Sequence, residues 1–150
     1  MTSAATRRGS AALYTPEILG LAVELANYPL GGELAQRGLA ASRVCGSKVT
    51  VALSTLADGR IARIGAQVTA CAIGQAAAAL FLRASQGRDA DSIRDALTEM
   101  ESWLQGEGDL PSWPDIDQLA SARHYPARHA AILLPWKAAL AALSNPVRAD

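Results

Sequence analysis

The chain has 150 residues, half of them hydrophobic, and its 14 basic side chains are balanced by 14 acidic ones. That length supports one domain with a real core and is short for two. A balanced charge argues against nucleic acid or an anionic membrane surface as partner, and the longest apolar runs, 76–82 and 130–135, fall far short of the roughly 20 residues that span a bilayer.

Residues 1–12 are small, basic and free of acid. They are too short, and too poor in apolar residues, for a targeting segment, so a flexible tail is expected there and a single domain over 13–150. With no export signal, the expected location is cytoplasmic and the thiols are expected to be reduced. The first helix begins at Thr15-Pro16-Glu17, with a capping hydroxyl, a proline where its missing N–H costs nothing, and an acid in the first turn. Its stripe of Ile18, Leu21, Ala22 and Leu25 carries it to about Asn27, and Pro29, Gly31 and Gly32 end it.

A strand is expected over Gly38–Val44, followed by a Cys45-Gly46-Ser47 turn. From Val49 the pattern has period two, with Val49, Val51 and Leu53 on one face and Thr50, Ala52 and Ser54 on the other. Asp58-Gly59 is a hairpin dipeptide, and beyond it Ala62, Ile64, Ala66 and Val68 alternate with Arg63, Gly65 and Gln67. The three strands form an antiparallel meander. Helices follow over Ala72–Ala84 and from Asp89 or Asp91 to about Gln105. Residues 106–128 read as a long connection with one helical turn near Asp115–Ala120, and such loops are often functional or cover something. Pro135 disrupts a helix interior, so the last helix is expected to start near Ala131 or Ile132. The fold class is α+β, a three-stranded antiparallel sheet with helices packed on one face.

The two thiols both fall at junctions: Cys45 in the strand turn and Cys71 where a strand gives way to a helix. Turned backbone, partial exposure and free N–H groups suit thiolate chemistry. His129 falls at a third junction, where a helix N-terminus disfavours added positive charge and an imidazole can serve as a ligand. Blander roles remain open: a cysteine as a small buried hydrophobe, a Cys45–Cys71 disulfide, His129 as a surface or hydrogen-bonded histidine, Arg128 as surface charge. His124 reads as a solvated loop residue. Ser47 lacks the histidine, acid and oxyanion hole of a serine nucleophile, and Trp103, Trp113 and Trp136 read as core and loop anchors.

In this order of elements the chain resembles the U-type iron-sulfur cluster scaffold family, which includes IscU, SufU and the N-terminal domain of NifU. The likeness spans about residues 13–143. It rests on Asn27-Tyr28-Pro29 after the first helix, the Cys45-Gly46 turn, the Asp58-Gly59 hairpin, Cys71 closing the third strand, and Pro126-Ala127-Arg128 before a helix carrying Trp136-Lys137-Ala138. The longer stretch between Glu99 and Arg128 makes it look closest to the SufU branch.

In that family three cysteines and an aspartate converge to hold zinc or a nascent cluster. Cys45 and Cys71 match two of the cysteines, whereas Ser47 stands at the aspartate position, Ala131 at the third cysteine, and Ala130 at the histidine that precedes it in IscU. The resemblance implies an iron-sulfur cluster assembly protein, a scaffold or sulfur acceptor rather than an enzyme. Its implied cofactor is a transient iron-sulfur cluster or zinc. Cys45 and Cys71 are then the persulfide-acceptor and metal-ligand candidates, and His129 is a candidate third ligand. The implied partners are a cysteine desulfurase and iron-sulfur recipient proteins. A zinc-dependent sulfurtransferase and a metal-free adaptor of the same machinery are the alternatives, the latter favoured by Ser47 and Ala131.

Overall fold

The computed structural model describes residues 13–145; the expected N-terminal tail, 1–12, and the last residues, 146–150, lie outside the described residues. Helix α1 (Pro16–Glu24) starts where the sequence places it: the Thr15 hydroxyl accepts from Ile18 N at 3.2 Å and Pro16 occupies the first turn. A 3-10 turn, Leu25–Asn27, completes it. Strands β1 (Gln36–Ala41), β2 (Lys48–Thr55) and β3 (Ile61–Thr69) form an antiparallel sheet in the order β1-β2-β3. Helix α2 (Ala72–Ser85) follows, then α3 (Ala90–Leu104), whose Asp89 carboxylate accepts from Ser92 N at 2.9 Å. A 3-10 segment, Ile116–His124, leads into α4 (Pro126–Leu143).

Val49, Val51 and Leu53 point into the core with Ile64, Ala66 and Val68 on the neighbouring strand, as the period-two pattern requires. Helix α4 lies on that face across β1 and β2, with α2 beside it on β3; α1 packs on α2, and α3 on α4. The opposite face is met by the segment leaving α1, which reaches it at Arg63, Gly65 and Arg37. A Cβ at Gly65 would overlap the Pro29 carbonyl, and Ala66 N donates to Tyr28 O at 2.9 Å, so the chain leaving α1 fits against β3 only because residue 65 has no side chain. Phe81, Trp113 and Trp136 form the aromatic centre: Phe81 stacks on Trp113 at 5.2 Å, Trp136 meets both edge-on, and Trp113 Nε1 donates to Leu80 O at 2.9 Å.

Two expectations are corrected. The first strand covers Gln36–Ala41 rather than 38–44, because Ser42 already donates its N–H to Ser47 O and turns the chain. The last helix begins at Pro126, not near Ala131, and carries Pro135 within it. Pro126 takes the first helical position, where its fixed φ is suited to a helix. Pro135 costs one backbone hydrogen bond to Ala131 O and some ring crowding, about 3 kcal/mol. An unbroken helix buries Ala131, Ile132, Leu134, Trp136, Ala138, Ala139 and Ala142. At roughly 1.5–3 kcal/mol per large apolar side chain, that burial outweighs the cost of the proline.

Helix α4 approaches β1 so closely that a Cβ on Gly38 would run into Ala138 O and Ala142 N. Both are backbone atoms and cannot swing aside. Gly38→Ala is therefore expected to destabilise the fold by about 1–3 kcal/mol, seen as a Tm lower by roughly 3–10 °C in thermal melting. Gly32→Ala, with open space around it, leaves Tm within a degree or so of the parent.

Candidate functional site

The pairs Ala41–Lys48 and Lys48–Thr69 end the sheet on one side. The 42–47 turn and the start of α2 therefore leave the sheet at the same end. The turn is closed by Ser42 N donating to Ser47 O and Gly46 N donating to Ser42 O, both at 2.9 Å. Gly46 has φ +71, the left-handed conformation that glycine adopts without strain. Ser42 and Ser47, the two stems, are buried, while Cys45 between them is exposed.

Cys45 Sγ lies 3.1 Å from Ser47 Oγ. The thiol donates while protonated; once the proton is lost, the serine hydroxyl can donate to the sulfur. Ser42 Oγ is buried and meets no partner at full hydrogen-bond geometry. The Ser42 hydroxyl first, then the Ser47 hydroxyl, hold the Cys45 thiol below its ordinary value, against a smaller opposing effect of burial. Of the residues singled out in the sequence analysis, Ser47 was set aside as a nucleophile and Ser42 was missed. The signal available was their placement as the two serines flanking Arg43–Gly46 around a lone cysteine.

Cys71 is the N-cap residue of α2; it is half-buried, and its side chain makes no capping bond. Its backbone is fastened by Gln75, whose N–H donates to Cys71 O and whose side-chain amide donates to Ala70 O, each at 2.9 Å. One turn further along, Gly74 faces Ala131. A Cβ on Gly74 would lie 3.3 Å from the Ala131 methyl and 2.7 Å from that of Ala70. Ala131, only 1 % exposed, thus reaches the N-terminal turn of α2 beside Cys71 and occupies that place with a methyl group.

His129 lies inside α4 rather than in the preceding connection. Its Nε2 is 3.2 Å from Ala122 O and 3.0 Å from Arg123 O. Carbonyls only accept, so Nε2 carries a hydrogen, and Nδ1 is the ring nitrogen left outside these contacts. Both cysteines are free thiols. Among the described residues no three His, Cys, Asp or Glu side chains gather as a group that could hold a metal ion. Two cysteines, a serine hydroxyl and an imidazole engaged by carbonyls are not the four-donor set of a zinc or cluster site, so the residues present do not fit a metal held by this chain alone. Among the described residues no helix is long and apolar enough to cross a membrane.

A three-stranded meander with its helices on one face and two thiols at one end defines the fold class of the U-type scaffolds. A NifU-like protein (N-terminal part) from Brucella abortus, described as nitrogen-fixing, superposes with a TM-score of 0.81 at 30% identity, over 91% of this chain and 95% of that one. The chain belongs to this NifU-like, U-type scaffold family. A protein described as an iron-sulfur cluster assembly scaffold for the SUF system of Fervidobacterium islandicum shares the fold, with a TM-score of 0.75 at 18% identity over 91% of this chain and 97% of that one. No protein-family model and no curated protein matches the chain.

The hydroxyl beside Cys45 has a measurable consequence. In a Cys71→Ala background, the pH at which iodoacetamide alkylation of Cys45 reaches half its maximal rate is expected to move up on Ser47→Ala, because a group that favours the thiolate is lost. An unchanged profile would mean that Ser47 does not act on the sulfur.

Proposed function

We propose that this chain acts in iron-sulfur cluster assembly as a sulfur acceptor, with Cys45 taking sulfane sulfur from the persulfide of a cysteine desulfurase. The observation that carries the reading is the exposed Cys45 thiol on a closed turn, with the Ser47 hydroxyl 3.1 Å from its sulfur. An acceptor must be reachable by a second protein and must spend time as thiolate, and this arrangement meets both needs. In the transfer, the Cys45 thiolate attacks the outer sulfur of the donor persulfide. A new S–S bond forms to Cys45 as the donor's own S–S bond breaks, and the bonding pair leaves on the donor thiolate. The proton from Cys45 goes to that thiolate, directly or through water, and no external oxidant is required.

Cys71, at the same end of the sheet and on a fixed helix cap, is the second acceptor candidate. Iron or a nascent cluster arriving as cargo would meet two thiolates here and draw its remaining ligands from sulfide or a partner. Any contribution from His129 would run through Nδ1. Recipient proteins would then unload what the two thiols hold. That no three-donor group forms among the described residues favours this open arrangement over a zinc-dependent sulfurtransferase.

The test is sulfur loading by a cysteine desulfurase and free cysteine, read as added sulfur mass on the intact protein. Wild type and Cys71→Ala are expected to gain a sulfur and Cys45→Ala to gain little or none; no gain in wild type would overturn the reading. A second measurement addresses the metal. Anaerobically purified protein is expected to hold far less than one metal per chain, with His129→Ala unchanged, whereas Ser47→Asp/Ala131→Cys, which restores the family's donors, is expected to hold close to one zinc. Near-stoichiometric metal in wild type, removed by Cys45→Ala or Cys71→Ala, would instead establish a resident metal site.

A further inference from the structure

The end of the molecule that carries Cys45 and Cys71 holds basic side chains and no acidic ones, although the charges of the whole chain balance. Helix α4 reaches this end because Ala131 faces Gly74 while Ala138 and Ala142, further along, face Gly38; the helix therefore runs antiparallel to β1. Arg128, one turn before Ala131, lies on the same side of the helix. The three segments that build the end, 39–50, 67–75 and 124–133, contribute Arg43, Lys48 and Arg128 and neither aspartate nor glutamate. Among the described residues the acids lie at 17–33, at 58 and over 89–117, and their ion pairs engage Arg60, Arg63, Arg83 and Arg94 but not Arg43, Lys48 or Arg128. Like charges left without a counter-charge repel and add nothing to the fold. Thiolate formation does not account for them either, since the Ser42 and Ser47 hydroxyls and backbone groups are what lower the Cys45 thiol. Beside these cations stand two exposed apolar side chains. Val44 adjoins Cys45 and is 81 % exposed, and Leu39, 57 % exposed, lies on the sheet face turned away from α4, because its neighbour Gly38 faces the helix. Apolar contacts within a charged rim are the make-up of a surface that binds another protein.

We propose that Arg43, Lys48 and Arg128 form a cationic docking surface around the thiols, and that the protein it fits is a sulfur donor whose persulfide is surrounded by acidic side chains. This inference rests on the sulfur-acceptor reading and adds the chemistry by which the donor is recognised. Opposite charge raises the rate of encounter, sets the orientation of approach, and turns away proteins that present cations of their own. Two of the cations come from the sheet layer and one from the helix layer, so a donor that engages all three covers the whole thiol end. Val44 is then buried next to the reacting sulfur, and water is excluded where the S–S bond is exchanged. Because the attraction is between exposed charges, it is weakened by salt.

In the full chain with Cys71→Ala as parent, sulfur uptake by Cys45 from the cysteine desulfurase of the same organism and free cysteine is followed by intact mass, below saturating acceptor. The rate is expected to fall about tenfold between roughly 20 and 300 mM sodium chloride. Arg43→Gln/Lys48→Gln/Arg128→Gln is expected to be about tenfold slower than the parent at low salt and to lose most of the salt dependence. Arg60→Gln/Arg63→Gln/Arg94→Gln removes the same charge from exposed ion pairs elsewhere and is expected to stay within about twofold of the parent. Loading from glutathione persulfide, a small donor that needs no docking, is expected to stay within about twofold for both variants, and melting curves confirm that each is folded. A parent rate indifferent to salt, an undiminished rate in the folded thiol-end variant, or an equal fall in the control would overturn the docking surface while leaving sulfur acceptance intact. An equal fall with glutathione persulfide would do the same, by assigning the cations to the thiol itself or to small anionic donors. Failure of the parent to take up sulfur from the desulfurase would overturn both.

Discussion

The fold depends on how closely helix α4 can approach its neighbours. On one side it presses on β1 at Gly38, where its own backbone fills the space of the absent side chain; on the other it meets α2 at Gly74, through Ala131. Ala131, Ala138 and Ala142 lie at these contacts, and they and Ala139 are all buried. Small residues bring backbones near enough for dispersion contacts to accumulate along the whole helix, while bulkier side chains would hold them apart. This close packing also places the end of the molecule that carries the two thiols. With α4 pinned to the sheet at 38 and to α2 at 74, residue 131 has one possible location, the N-terminal turn of α2 next to Cys71. The turn bearing Cys45 leaves the same end of the sheet.

That geometry explains why two departures from the family pattern belong together. In the resemblance, position 47 carries an aspartate and position 131 a cysteine, and a cation among them balances the negative charge of the donors. Ala131 offers no donor, and among the described residues no group of three His, Cys, Asp or Glu side chains forms. An aspartate at position 47 would then sit within hydrogen-bond range of the Cys45 sulfur with no cation between them, and two like charges that close disfavour the thiolate. Serine reverses the sign of that effect, because its hydroxyl donates to a negative sulfur. On the sulfur-acceptor proposal the pair Ser47 and Ala131 is therefore consistent as a set: Ala131 lacks a donor, and Ser47 favours the remaining thiolate where no resident metal supplies positive charge. His129 accords with this, its Nε2 being used to tie the start of α4 to the end of the preceding 3-10 segment.

Much of the architecture was legible in the sequence because local chemistry and tertiary packing agree there. Thr15-Pro16, the alternation of Val49 through Leu53, Asp58-Gly59 and the cap at Asp89 each act over a few residues, and each element formed as its local pattern requires. The start of α4 was not legible, because Pro135 is a local penalty overcome by burial spread along the whole helix, which no short window reports. The site divides in the same way. That Cys45 and Cys71 lie at element junctions follows from turn and cap signals. That Ser42 is buried and unpartnered, or that His129 is held by carbonyls seven and six residues before it, depends on side-chain directions set only when the turn and the helix close.

The two thiols are not equivalent, and the difference bears on how sulfur would move. Cys45 is exposed on a turn whose stems are hydrogen-bonded to each other, with Val44 beside it 81 % exposed. An apolar side chain next to a reactive thiol offers a partner something to bury at the point of transfer. Cys71 is half-buried at a helix cap, its neighbouring carbonyls both taken by Gln75, and a large partner cannot reach it as freely. On the sulfur-acceptor proposal, sulfur arriving from another protein would therefore meet Cys45 first. Cys71, at the same end of the sheet on a more rigid element, is better suited to receive or share what Cys45 brings than to collect it. On the same proposal, with the ligand set left open, nothing among the described residues closes over the cargo, and release would depend on the partner that completes the site.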